Sequence, residues 1–264
     1  MKYSSVVTVK WQTMGQVIAV FNQSGGVGKS TLTMNLGYHL AQRKKRVLLV
    51  DMDPQASLTA FMGLEPSELD KTIYESVMAS ETLPIHIDIH GVDLVPANIN
   101  LSGAELELVV ADMRDHRLKE ALGDAADEYD FILIDCPPSL GILSYISLVA
   151  ATHVLIPIQT QYKALKGTEL LLSTIARVRS RANKKLSVAG VVPTMHEART
   201  VQGVMSLQTI QEQLSKIGTV FPTIPRSVSF ADASQEHLPL ALYSPKHPAV
   251  SLFSQIACSL EKLL

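Results

Sequence analysis

The chain has 264 residues, enough for one large α/β domain, and length alone does not call for two. A formal net charge of −2 argues against a generally basic nucleic-acid binder and leaves room only for a local basic face. The only cysteines, Cys136 and Cys258, lie far apart and off metal-ligand spacing, which suggests a reducing compartment and no disulfide framework.

Residues 1–13 lack the apolar core of a signal peptide and read as a short N-terminal extension, ordered only where it docks. Residues 14–264 read as a single domain, with no repeat or linker to divide it and no apolar run of about 18 residues to cross a membrane. Strands are predicted at Val17–Phe21, Val47–Val50, Val92–Val95, Phe131–Ile134, Val154–Ile158, Val188–Val192 and Val220–Ile224. Several are unbroken Val/Ile/Leu runs, the pattern of strands buried on both faces of a parallel sheet. Between them fall helical stretches: Lys29–Arg43, Leu101–Met113, Arg114–Ala126, Gly167–Arg181, Val201–Ile217 and Pro248–Leu264. The alternation predicts an α/β fold, a doubly wound, mostly parallel sheet with helices on both faces.

The segment Ser24-Gly25-Gly26-Val27-Gly28-Lys29-Ser30-Thr31 joins the first strand to the first helix. It ends in Gly-Lys-Ser, the anchor of a phosphate-cradling P-loop, in the strand–loop–helix setting that motif requires. The ordinary spacing nevertheless fails, because Gln23 stands where the first glycine belongs. A deviant pattern, K-G-G-x-G-K-[ST], fits except at Ser24, which replaces its first lysine. Lys29 is expected to reach the β- and γ-phosphates of a nucleotide, Ser30 to ligate Mg²⁺, and Thr31 to support the α-phosphate side. Two acid-bearing strand tips follow, Asp51 and Asp53 after Val50, and Asp135 after Phe131–Ile134. Ligands of such sheets bind outside the carboxyl ends of the strands, so these acids are expected beside the phosphates, where Mg²⁺ or a water gives them a partner.

On these segments, together with Asn35-Leu36-Gly37, Pro96-Ala97-Asn98, Leu101–Glu105, Asp135–Gly141, Ile224-Pro225-Arg226 and Ala231–Ser234, the chain resembles the ParA/MinD family of deviant-Walker ATPases, in its ParA/Soj branch. The resemblance implies a weak ATPase that closes as a homodimer around two ATP molecules and binds nucleoid DNA non-specifically. A cargo-bound adaptor protein then stimulates hydrolysis. A cytoplasmic, nucleoid-associated protein is expected, and its cation-poor C-terminal helix argues against membrane attachment. By motif position Asp53 orients the attacking water, Asp51 supports the first switch and the metal, Asp135 is the second-switch acid that holds Mg²⁺ through water, and Pro225 borders the adenine. Serine at position 24 is similar to the carboxysome-positioning McdA branch, so carboxysomes are the expected cargo. Plasmid or chromosome partition and MinD-like membrane cycling are the alternatives.

In the family the lysine replaced by Ser24 reaches the partner's phosphates. Lys163 or Lys166, both departures from comparable ParA segments, could supply that cation, or both could be solvated lysines at a helix start. Arg177, Arg179, Arg181, Lys184 and Lys185 form the densest basic run and, with Arg226, the expected DNA surface; helix-end stabilisation explains the run as well. The run Arg43–Arg46 is expected to cap the first helix, and the C-terminal helix, poor in cations, to pack on the sheet. Eight histidines without ligand spacing suggest no metal centre, Cys136 reads as a packing residue, and two cysteines cannot supply the ligands of an iron–sulfur reductase. A metabolic ATP-dependent ligase would need a second substrate pocket for which no motif is visible.

Overall fold

The computed structural model describes residues 15–161 and 167–264. Among the described residues eight strands form one sheet: β1 (Gln16–Val20), β2 (Val47–Asp51), β3 (His86–Ile89), β4 (Val92–Val95), β5 (Phe131–Asp135), β6 (His153–Gln159), β7 (Ser187–Thr194) and β8 (Thr219–Val220). Their order is β3-β4-β2-β5-β1-β6-β7-β8, and every pair is parallel except β3 with β4. The helices are α1 (Lys29–Gln42), α2 (Ser57–Phe61), α3 (Ile73–Ala79), α4 (Leu101–Glu107), α5 (Arg117–Leu122), α6 (Ala125–Glu128), α7 (Ile142–Ala150), α8 (Thr168–Arg181), α9 (Val201–Leu214), α10 (Ser229–Gln235), α11 (Leu240–Tyr243) and α12 (Pro248–Leu263). The expected doubly wound sheet is therefore present.

The unbroken apolar strands owe their composition to two cores. Along β2, Leu48 and Val50 face one core while Val47 and Leu49 face the other, and Ile132/Ile134 and Phe131/Leu133 divide β5 in the same way. Helices α3, α5, α7 and α8 cover the first face, and α1 and α12 the second. Gly37 lets α1 lie against β2, since a Cβ there would come within 2.7 Å of Leu49. Asn35 Oδ1 accepts the Leu240 N–H at 2.8 Å, so this part of α1 also holds α11.

Several boundaries differ from expectation. Residues 221–224 leave the last strand because Pro222 has no N–H to donate, although Phe221 still donates to Val191 at 2.9 Å. The stretch expected as helix over 101–113 ends at Glu107, and that over 114–126 is a 3₁₀ turn plus α5 and α6, broken at Gly123. Residues 1–13 lie outside the described residues.

The C-terminal helix buries Phe253, Ile256, Ala257 and Leu260 against α1 and the sheet, so its apolar face is already occupied. Glu261 on α12 holds Arg43 at 2.5 Å and Lys45 at 2.8 Å, so two of the four cations at 43–46 fasten α12 rather than only capping α1. Among the described residues no helix is long and apolar enough to cross a membrane.

His39 of α1 stacks on Phe253 at a centroid separation of 6.1 Å, with its Nε2 buried and without a partner among the described residues. Burial lowers its pKa. The native state therefore favours neutral imidazole, and the stability this contributes is lost as pH falls through the free-imidazole value of about 6.5. Thermal melting at pH 7.5 and 5.5 should show a smaller acid penalty for His39→Leu than for the wild type; equal penalties would contradict it.

Candidate functional site

The loop after β1 runs from Phe21 to Gly28 and delivers the chain into α1. Gly26 and Gly28 have φ of +69° and +88°, a region costly for side-chain-bearing residues, and a Cβ at either would meet nothing within 4 Å. The space above them is therefore open to a ligand. Side chains from neighbouring strands fix the loop through its carbonyls: Gln159 Nε2 donates to Gly26 at 2.8 Å and Thr194 Oγ1 to Val27 at 2.9 Å. Asn22 Nδ2 donates to Pro157 at 2.7 Å, and Asn22 Oδ1 accepts the Ser24 N–H at 2.9 Å. Among the described residues no protein acceptor takes the N–H groups of Gly25–Gly28. Helix α1 begins beside them with no side-chain cap and no acid in its first turn. A row of free donors at an uncapped helix N-terminus is the electrostatic form of a phosphate site.

Lys29 is only 6% exposed, and its Nζ donates to the backbone carbonyl of Ser24 at 2.8 Å. Burial lowers its pKa, opposed first by the charge of Asp135 and more weakly by Asp53. Ser24 thus contributes its carbonyl to the site, and its hydroxyl makes no hydrogen bond among the described residues.

The three acids share the sheet edge next to this loop. Asp51 and Asp135 end adjacent strands in register, and Asp135 also pairs with Val20 at the end of β1. Asp51, wholly buried, accepts the Asp53 N–H on Oδ1 at 3.0 Å, and the Thr59 N–H and hydroxyl on Oδ2 at 2.9 and 2.8 Å. Burial pushes its pKa up to about 6 against those bonds. Three bonds hold this carboxylate to residues 53–59. Asp53 is 8% exposed, with Oδ1 accepting the Gln55 N–H at 3.0 Å; burial raises its pKa, opposed by that bond and by Lys29.

Asp135 is the outlier. Both its oxygens are buried and accept no hydrogen bond of normal geometry among the described residues. Its pKa is raised well above the usual range by burial and then by Asp51, while the nearby Ser30 hydroxyl and Lys29 oppose the shift. An orphaned buried carboxylate facing a serine hydroxyl is a donor set suited to a hard divalent cation such as Mg²⁺.

Beside the loop opens a cavity of about 650 Å³, mainly apolar, lined by Val27, Gly28 and Thr31 on one side and by Phe61, Pro225 and Phe230 among others. The residue expected to border adenine therefore lines a cavity continuous with the phosphate loop. Cys136 is buried in the core, as expected of a packing residue. No cluster of metal-ligating side chains of the His/Cys/Asp/Glu kind occurs among the described residues.

The expected DNA surface is split. Arg177, Arg179 and Arg181 are exposed on α8, and Lys184 and Lys185 are exposed just before β7. Because α8 returns antiparallel to the strands, this run approaches the amino ends of β6 and β7, where Ser187 pairs with His153. Arg226 lies instead at the cavity, its guanidinium 2.9 Å from Glu197. Lys163 and Lys166 lie outside the described residues. Sequence reasoning passed over Thr59 and Thr194; the second stands at the carboxyl end of a strand, where the ligand-edge rule could have found it.

A glycine-bearing loop with free N–H groups, a buried lysine and an orphaned acid at one sheet edge define a nucleotide site of the P-loop class. Comparison with known proteins narrows this. The protein-family model described as "AAA domain" matches residues 15–188. The Chromosome-partitioning ATPase Soj of Treponema pallidum is 40% identical over 253 residues, covering 92% of this chain and 96% of that protein. A structure of cobyrinic acid a,c-diamide synthase from Mycobacterium smegmatis with bound ATP analog and magnesium superposes with a TM-score of 0.77 at 36% identity, covering 84% of this chain and 92% of that one. A Cyanothece McdA variant in complex with ATP superposes with a TM-score of 0.83 over 95% of this chain and 97% of that one, but at 23% identity it shares the fold alone. The chain belongs to the ParA/Soj family of ATPases.

Raised carboxyl pKa values mean that the native protein takes up protons at higher pH than the unfolded chain, so Asp51 costs stability as pH rises through about 6, and Asp135 costs it in the same direction. Asp135→Asn should therefore stabilise the nucleotide-free protein at pH 7.5, by about 1 kcal/mol or more, while abolishing magnesium-dependent nucleotide binding. Calorimetric melting and nucleotide titration check the two halves; an unchanged or lower melting temperature would contradict the first.

Proposed function

We propose that this chain is a Mg²⁺-dependent ATPase whose ATP-bound homodimer binds DNA non-specifically and positions a cargo through an adaptor that stimulates hydrolysis. The observation that carries the reading is the orphaned Asp135 carboxylate beside Ser30, on the same edge as Lys29 and the free N–H groups of Gly25–Gly28. Ser30 and Asp135 would hold the metal, which supplies positive charge to the phosphates. Lys29, freed from the Ser24 carbonyl, neutralises the phosphoryl oxygens, and Asp53 orients the attacking water. Pro225 and the cavity wall take the adenine. Transferring a phosphoryl group to water asks mainly for positioning and charge, which these residues are placed to give.

Partition of a chromosome or plasmid has the better support as cargo reading, since a relative named for chromosome partitioning is 40% identical and the McdA structure shares only the fold. Carboxysomes remain the reading that Ser24 suggests. Membrane cycling has less support, because the apolar face of α12 is already buried. Lys163 or Lys166 would supply the cation absent at Ser24; loss of ATP-dependent dimerisation in Lys163→Ala or Lys166→Ala supports that, and wild-type dimerisation in both removes it.

Binding of a fluorescent DNA duplex with ATP, with ADP and without nucleotide tests the switch. ATP alone should support binding, Lys29→Ala should abolish it, and raising salt should weaken it steeply. Charge reversal at Arg179 and Arg181 against reversal at Arg226 then tells which edge meets DNA. Binding indifferent to nucleotide would overturn the switch.

A further inference from the structure

Thr59 is wholly buried, and all its polar capacity is committed. Its N–H and hydroxyl both donate to Asp51 Oδ2, at 2.9 and 2.8 Å, and the same hydroxyl oxygen accepts the Ala97 N–H at 2.9 Å. Asp51 in turn accepts the Asp53 N–H on its other oxygen at 3.0 Å. One carboxylate therefore clamps both ends of the segment 53–59, and one hydroxyl joins that clamp to the chain leaving β4.

The second attachment is itself fixed. The carbonyl of Pro96, next to Ala97, accepts the Ile73 N–H at 2.9 Å, at the start of α3, where Thr72 and Glu75 make a reciprocal cap. Ala97 leads within four residues into α4, whose Glu105 lies against Gly141 in the loop after Asp135: a Cβ on Gly141 would fall 2.8 Å from Glu105 Oε1. Thr59 thus links the segment carrying Asp53 to the elements flanking the loop after Asp135.

We propose that Thr59 is a positioning residue for hydrolysis, holding the Asp53 segment in register with residues 96–97 through the chain Ala97 N–H to Thr59 Oγ1 to Asp51. This rests on the ATPase reading above. The hydroxyl acts through Asp51 and the backbone; its work is to set where Asp53 stands, not to bind nucleotide.

Thr59→Val preserves the branched shape but removes the donor and the acceptor together, whereas Thr59→Ser keeps both. Single-turnover ATP hydrolysis and ATP affinity should be measured on the full chain, with hydrogen exchange of the nucleotide-free protein over residues 94–101. Thr59→Val is expected to lower the hydrolysis rate by tenfold or more while ATP affinity stays within about threefold, and to speed exchange at the Ala97 amide. Thr59→Ser should return rate and protection to within about threefold of wild type. A Thr59→Val protein with wild-type rate and protection, or equal losses in both variants, would overturn the proposal. Absence of hydrolysis in the wild type would defeat the ATPase reading instead, and exchange at Ala97 would still decide the linkage.

Discussion

The carboxyl of Asp135 sits at the carboxyl edge of the sheet with both oxygens out of solvent and no hydrogen bond of normal geometry among the described residues. Burying an ionised group without partners is costly, and a fold retains such a group where a ligand completes it. Much of the surrounding geometry follows from that constraint. Lys29 is held nearby yet parked on the Ser24 carbonyl. Asp51 is tied down by three donors, so it does not compete for the same partner. The nucleotide-free site is a set of charges whose mutual compensation is incomplete, and added phosphate and metal would complete it.

The sheet makes this arrangement possible. Parallel pairing of β1, β2 and β5 brings Val20, Asp51 and Asp135 to one level, so residues distant in sequence meet at a single edge. Cores on both faces flank these strands, and α12 braces α1, the helix that starts at the phosphate loop. The result is a rigid platform beneath a loop whose shape depends on a few side-chain bonds to its carbonyls.

The central strands and the loop were legible in the sequence because their determinants are local. Val/Ile/Leu runs mark strands buried on both sides, and Gly26 and Gly28 mark backbone turned into the left-handed region. The edge strand His86–Ile89 was not legible, being short and half polar, with Ile87 exposed and an irregular register against β4. Helix Ile142–Ala150 was missed for the opposite reason: it is apolar nearly all round and buried, so it shows no polar stripe. Within the site, the motifs mark Lys29, Asp51, Asp53 and Asp135, but the partners that hold Asp51 could not be read from them. Its bonds run to Thr59, eight residues on, and through Thr59 to Ala97, and pairings of that range are set by tertiary packing. The separation of Arg226 from the run 177–185 was likewise invisible, since only the return direction of α8 carries that run to the other edge.

On the proposed reading, Ser30 and Asp135 would hold a divalent cation against a nucleotide cradled by Gly25–Lys29. Crystals grown with a non-hydrolysable ATP analogue and Mn²⁺ test it directly, because manganese is located by its anomalous scattering. The expected result is a manganese peak between the Ser30 hydroxyl and Asp135, with the adenine against Pro225. A nucleotide bound elsewhere, or manganese ligated by Asp51 with Asp135 left bare, would contradict it.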